Sequence, residues 1–225
     1  MEKKIRIMRA EYPDISVPQW QGRKLRGFFA AGQEDGLLHG HGPESQVLYR
    51  YPLVQYKVIR KVPTIIAVEE GIRAVHPLIM ERQELRLGDD TYPCGHLEIS
   101  LEAEVIGDCA QTYTYRFLSP WFGLNQENYR LYIEKSPEDR KVLLEGIIVG
   151  NLLSLSKGLG ITVDRRLQVD ARLREQSARF KGETVLGFRG EFSVNFRIPA
   201  LFGLGKSVSR VFGTVCPVAK KKASE

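Results

Sequence analysis

Cysteine is scarce in this chain: Cys94, Cys109 and Cys216 are the three in 225 positions. They are odd in number, far apart and never spaced as CxxC. That argues against a disulfide framework or a structural zinc site and points to a reducing cytoplasm. Long apolar runs are lacking too. The richest, VLLEGIIVGNLLSLS (142–156), is interrupted by Glu145, Gly146, Gly150 and Asn151. It falls short of the roughly 20 apolar residues that cross a bilayer and reads as a buried helix, so no membrane partner is expected. The opening MEKKIRIMRAEYPDISV carries charge but no apolar core before a small-residue cleavage site, so no signal peptide is expected. Histidine is nearly as scarce as cysteine, with four copies.

What is present is ordinary globular composition, 43% hydrophobic and 27% charged, with a mean hydropathy of −0.24. It suffices for one large domain or two of about 100 residues each. The net charge of +6, with pI about 9.2, is unevenly placed. Residues 157–222 hold 14 Lys and Arg against 5 Asp and Glu, whereas 1–156 hold 19 against 21. A basic half joined to a near-neutral half suggests a polyanionic partner.

IRIMRAEY (5–12) reads as an opening strand and QWQGRKLRGFFAAGQ (19–33) as a helix, with Trp20, Leu25, Phe28 and Phe29 at helical spacing. YPLVQYKVI (51–59) and VPTIIAVEE (62–70), separated by Arg60 and Lys61, form a hairpin-like pair. GIRAVHPLIMERQ is a short second helix limited by Pro77, and ELRLGDDTYPCGHLEISLEAEVIG supplies strands around a Gly-Asp-Asp turn. The order is βαββαβ.

The second half repeats the theme as βαββ…β. QTYTYRFLSPWFG (111–123) is β-rich, and 136–160 is the best helix of the chain, with Ser136 as cap, Pro137, acids in the first turn, and Lys157 and Gly158 at its end. LQVDARLR (167–174) and FSVNFRI (192–198) alternate strictly between apolar and polar positions. The fold class is therefore α+β, two tandem ferredoxin-like (RRM-like) units joined near 107–111, with domains at 1–107 and 108–217 and a basic tail at 218–225.

Three constellations could carry chemistry. GLGKS (203–207) resembles a nucleotide-binding P-loop, but position 200, where that motif needs glycine, is Ala200. The remaining readings are a flexible β connection or a glycine-rich loop whose amides approach phosphates, with Lys206 and Arg210 supplying charge. The polar face of 167–174 projects Arg172 and Arg174, with Arg165, Arg166, Arg179 and Lys181 nearby. Such a face can track a phosphate backbone or simply be a solvated strand.

The third is LHGHGPESQVLYRYPLVQYK (38–57), which holds His39 and His41 within four residues. Cleaving RNA by its own 2′-hydroxyl requires a base, an acid and stabilisation of a crowded phosphate. Histidine can be either base or acid near neutrality, a tyrosine hydroxyl can orient or relay a proton, and a lysine can hold charge. His39, His41, Tyr49 and Lys57 are the right types. A turn that happens to contain histidine, or a zinc site recruiting His76 or His96, remain the alternatives.

KLRGFFAAGQEDGLLHGHG, YRYPLVQYKVIRKVPTIIAVEEG and the terminal GLGKSVSRVFGTV, in that order, resemble the CRISPR-associated endoribonucleases that cut precursor guide RNA within each repeat. This is the Cas-six family, in its b-type branch, and the likeness spans about residues 4–217. It implies two ferredoxin-like domains with a central cleft, no cofactor, and cleavage without metal to 2′,3′-cyclic phosphate and 5′-hydroxyl ends. It also implies His41 as catalytic histidine, with His39 as a second, Tyr49 (or Tyr51) as the tyrosine and Lys57 at the phosphate. Gly203, Gly205 and Gly213 match the family's glycine-rich loop, although Val211 stands where the family commonly has another glycine. CRISPR repeat RNA is the implied partner, with other Cas proteins or a second copy of the chain as further ones. A non-catalytic RNA-binding subunit of the same fold is the competing reading.

Overall fold

The computed structural model describes residues 2–31, 51–180 and 182–219. The chain divides into two compact units, Lys4–Glu104 with Ser207–Val211, and Met1–Lys3 with Val105–Lys206 and Phe212–Glu225.

The first unit opens with strand β1 (Lys3–Glu11), a single 3-10 turn (Gln19–Gln21) and helix α1 (Gly22–Ala30). Strands β2 (Val54–Ile59) and β3 (Val62–Val68) form the expected hairpin, whose two turn residues Arg60 and Lys61 both take positive φ, 49° and 72°. Helix α2 (Glu70–Met80), the hairpin β4 (Glu84–Leu87) and β5 (Asp90–Pro93), and the start of β6 (Glu98–Phe117) follow. The sheet order is β2-β3-β1-β6. Met8, Ala10, Tyr12, Val54, Tyr56, Val58, Ile65 and Ala67 line one face of it, where Leu25 and Phe29 of α1 and Val75 and Ile79 of α2 complete a core. That packing explains why α2 continues through Pro77 rather than ending there. Pro77 removes one ladder bond, but Val75 and Ile79 on either side of it are buried, and Glu81 N–H resumes the ladder onto the Pro77 carbonyl at 3.0 Å.

The second unit takes the remainder of β6, then helices α3 (Gln126–Glu134) and α4 (Pro137–Gly158) and strands β7 (Val169–Phe180), β8 (Glu183–Arg197) and β9 (Val215–Pro217). Its order, β9-β6-β8-β7, repeats that of the first unit. Both have the antiparallel strand order of a ferredoxin-like unit, although in the second, among the described residues, both helices lie between β6 and β7 and none between β8 and β9. Ser136 caps α4 by accepting from the Asp139 amide, as expected. The glycine in left-handed conformation at its end is Gly160 (φ 62°), not Gly158, which stays helical.

Three local features go beyond the sequence pattern. Helix α4 is buried on one side only: Leu144, Ile148, Leu152 and Leu155 face the core, whereas Val142 is 66% exposed and a Cβ at Gly146 or Gly150 would meet nothing within 4 Å. Helix α3, capped by the Asn125 side chain accepting from the Asn128 amide, was not foreseen. The stretch near 107–111 lies inside β6, where Gly107 (φ 135°) and a register shift between Asp108 and Tyr113 mark a bulge. Among the described residues no helix is long and apolar enough to cross a membrane.

Candidate nucleic-acid interface

His39, His41 and Tyr49 lie outside the described residues. The described chain brackets them, with α1 ending at Ala30 and β2 beginning at Val54. Tyr51 is buried, and its hydroxyl accepts from Gln55 Nε2 at 2.8 Å.

Lys57 is the surprise among the catalytic candidates. It alternates with the core residues Tyr56 and Val58 along β2, opposite Thr64 of β3, and its side chain is fully buried. Burial pushes its ammonium down to about 7, so near neutrality it is only partly charged.

The glycine-rich loop is also more structural than phosphate-facing. The amides of Leu204, Lys206 and Gly213 donate to the carbonyls of Gly213, Phe122 and Pro120, at 2.8, 3.1 and 2.9 Å. Gly203 bridges Thr214. Gly205 (φ 85°) lies against Trp121, where a Cβ would come 2.5 Å from Nε1, and at Gly213 (φ 63°) one would strike the Leu204 carbonyl oxygen. Gly205 and Gly213 are there because the second unit's own backbone and indole leave no room for a side chain. What the loop can offer RNA is Lys206 and Arg210. Lys206 is exposed, with Nζ donating to the Leu124 carbonyl at 3.3 Å, and partial burial lowers its pKa. Arg210 is half-buried and belongs to the first unit, paired through its backbone with Tyr56.

The outer sheet face of the second unit carries the basic patch. Arg172 and Arg174 are exposed on β7, and the ladder sets them opposite Glu191 and Arg189 of β8. Glu191 pairs in turn with Arg116 of β6 at 2.5 Å. Burial, and behind it the charge of Arg174, lowers the Arg189 guanidinium. Arg165 and Arg166 are exposed just before β7, held through their backbone: Arg165 N–H donates to Asp108, and the Arg166 carbonyl accepts from Asn195 Nδ2, both at 3.1 Å. Arg179 is exposed but has the opposite strand parity to Arg172 and Arg174. Sequence reading had not singled out Arg116 or Arg189. Extending the alternation of FSVNFRI backward through Glu191 puts Arg189 on the polar face and would have found it.

Among the described residues no group of three His, Cys, Asp or Glu side chains could hold a metal ion. His76 and His96 are both exposed, and His96 lies 3.6 Å from Glu98.

Two protein-family models match this chain in sequence, the Cas6b N-terminal domain over residues 3–104 and the Cas6b C-terminal domain over 108–218. A solved Cas6b structure is similar at a TM-score of 0.91 and 35% identity, covering 96% of this chain and 100% of that one. Another, of a CRISPR RNA processing endoribonuclease Cas6b, gives 0.77 and 32%, with 96% and 100% covered. An uncharacterized protein of Methanocaldococcus jannaschii is 39% identical over 142 residues, 63% of this chain and 97% of its own length. With both halves matched in order over nearly its whole length, the chain belongs to the Cas6b family.

Proposed function

We propose that this Cas6b protein is the endoribonuclease that cuts CRISPR repeat RNA in precursor guide RNA, and that it does so without a metal through His41, His39 and Tyr49. The reaction needs only protein groups. A base takes the proton of the 2′-hydroxyl, the 2′-oxygen attacks the adjacent phosphorus, and the 5′-oxygen leaves as an acid protonates it. The ends are a 2′,3′-cyclic phosphate and a 5′-hydroxyl. Two histidines separated by the single residue Gly40 can divide the base and acid roles, or His41 can share them with Tyr49.

The observation that carries the reading is the presence, in one Cas6b chain, of the His-Gly-His segment and of an exposed arginine face able to hold RNA. Arg172, Arg174, Arg116 and Arg189 supply that face, with Arg165 and Arg166 beside the start of β7. Lys57, buried in β2 next to the segment that carries the histidines in sequence, is the further candidate for the charge that develops on the phosphate.

The test is cleavage of an end-labelled repeat RNA in excess EDTA, by wild type and His41→Ala. A parallel substrate has a single 2′-deoxy sugar just upstream of the mapped cut. Cleavage should persist in EDTA and be lost with the deoxy sugar and with His41→Ala. Loss in EDTA would instead make it a metal-dependent nuclease, and tight binding without cleavage would make it an RNA-binding subunit.

A further inference from the structure

The five residues Ser207–Val211 leave the second unit and pack within the first. Their docking is specific. Arg210 pairs in parallel with Tyr56 of β2, and the Tyr56 ring stacks on Phe29 of α1 with centroids 5.9 Å apart. One residue on, the side chain of Val211 fills a notch over the first turn of α1: a Cβ at Gly22 would lie 2.3 Å from Val211 Cγ2. Val211 reaches that notch only by adopting φ 86°, a conformation foreign to a β-branched residue, and Ser207 opens the same turn at φ 58°. Glycine at position 211 would relieve that strain but leave the notch empty.

Arg26 stands one helical turn beyond Gly22, on the same side of α1. Both Arg26 and Arg210 are half-buried. Burial, and next the charge of Arg210, lowers the Arg26 guanidinium below its ordinary value, while Tyr56 acts the other way. Arg210, one residue before Val211 and bridged to Tyr56, and Arg26, one turn beyond Gly22, are thus brought to the same part of the first unit, where an anion can be met by both. Guanidinium forks match phosphate oxygens in geometry.

We propose that Arg26 and Arg210 together grip one phosphodiester of the bound RNA, and that the Gly22–Val211 contact sets the spacing between their guanidinium groups. This rests on the reading of the protein as an RNA-processing enzyme. Arg26 and Arg210 are then positioning residues, fixing where the strand lies relative to the segment that follows α1.

The experiment is binding of the repeat RNA, made uncleavable by a 2′-deoxy sugar at the cut, across a salt series. Arg26→Ala and Arg210→Ala should each weaken binding about tenfold and lower the salt slope by about one phosphate. Because the phosphate is shared, the double variant should lose no more slope than either single one. Arg26→Lys, which keeps the charge and most of the volume, should keep the slope and still lose affinity. Gly22→Ala should weaken binding by displacing Val211, and adding Val211→Gly should restore it. A double variant losing about two phosphates of slope, or single variants binding as the wild type does, would overturn the shared grip. A wild type that binds no repeat RNA removes the functional reading and this inference with it. Variants that match an RNA-binding wild type remove this inference alone.

Discussion

Gly190 of β8 lies so close to Arg172 of β7 that a Cβ built on it would stand 2.1 Å from the Arg172 carbonyl oxygen. Its φ of 139° is one that L side chains rarely adopt. The glycine pairs with Leu173, between the two rungs that place Arg172 opposite Glu191 and Arg174 opposite Arg189. Gly190→Ala must therefore push the strands apart at the centre of the basic face. The expected cost is about 2 kcal/mol or more in urea unfolding, together with weaker RNA binding by the protein that remains folded. Full stability in the alanine variant would mean that this approach is not needed to hold the face.

Arg174 and Arg189 are like charges directly opposed on neighbouring strands. Removing one should help folding slightly while harming RNA binding. Arg174→Ala is expected to raise stability by roughly 0.5 kcal/mol and to lower the salt slope of RNA binding by about one. The paired change Arg172→Ala and Arg174→Ala should flatten the slope by about two. Unchanged affinity in the double variant would show that RNA does not follow this face.

Lys57 ties stability to pH. Its folded pKa is about 7, whereas an unfolded lysine titrates near 10.4. Between those values the unfolded chain binds a proton that the folded chain does not, so stability rises with pH through this window. Below it both states are protonated and the folded state bears the full cost of a buried charge. Relative to Lys57→Met, the wild type should gain about 2 kcal/mol in urea unfolding between pH 7 and pH 9. A wild-type-minus-variant difference that is flat across that range would mean the ammonium stays charged where it is buried.

The readable parts of this chain were those set by local pattern. The alternation in 5–12, 167–174 and 192–198 marked β1, β7 and β8, and the Arg60-Lys61 interval marked the β2–β3 hairpin. Ser136 and Pro137 marked the start of α4. Helix α3 went unseen because QENYRLYIE carries apolar residues without a wide stripe: Tyr132 is buried while Tyr129, Leu131 and Ile133 are exposed. Pro77 suggested an end to α2 that tertiary packing overrode.

At the candidate site, residue type was legible and surroundings were not. Lys57 had the right chemistry for a phosphate, but nothing local distinguishes a lysine at a strand's solvent face from one at a buried face. The transfer of Ser207–Val211 into the first unit depends on Gly22, about 190 residues earlier in the chain, and no local pattern announces it.

The glycine-rich loop separates motif from role most sharply. GLGKSVSRVFG suggested backbone amides turned toward phosphate, yet three of those amides are spent on protein carbonyls and Gly205 is pressed against the Trp121 indole. The indole Nε1–H itself donates to Asn151 Oδ1 at 3.0 Å, anchoring the loop to α4. Gly205→Ala should therefore act on folding before it acts on RNA. At φ 85° and 2.5 Å from Nε1, the new methyl group must displace the indole or the loop. The expected result is a loss of about 2–3 kcal/mol of stability with a shift in tryptophan fluorescence. Well below the variant's melting temperature, the salt slope of RNA binding should match that of the wild type, because no phosphate contact has been removed. A variant of wild-type stability that has lost a phosphate from the slope would return Gly205 to the RNA surface.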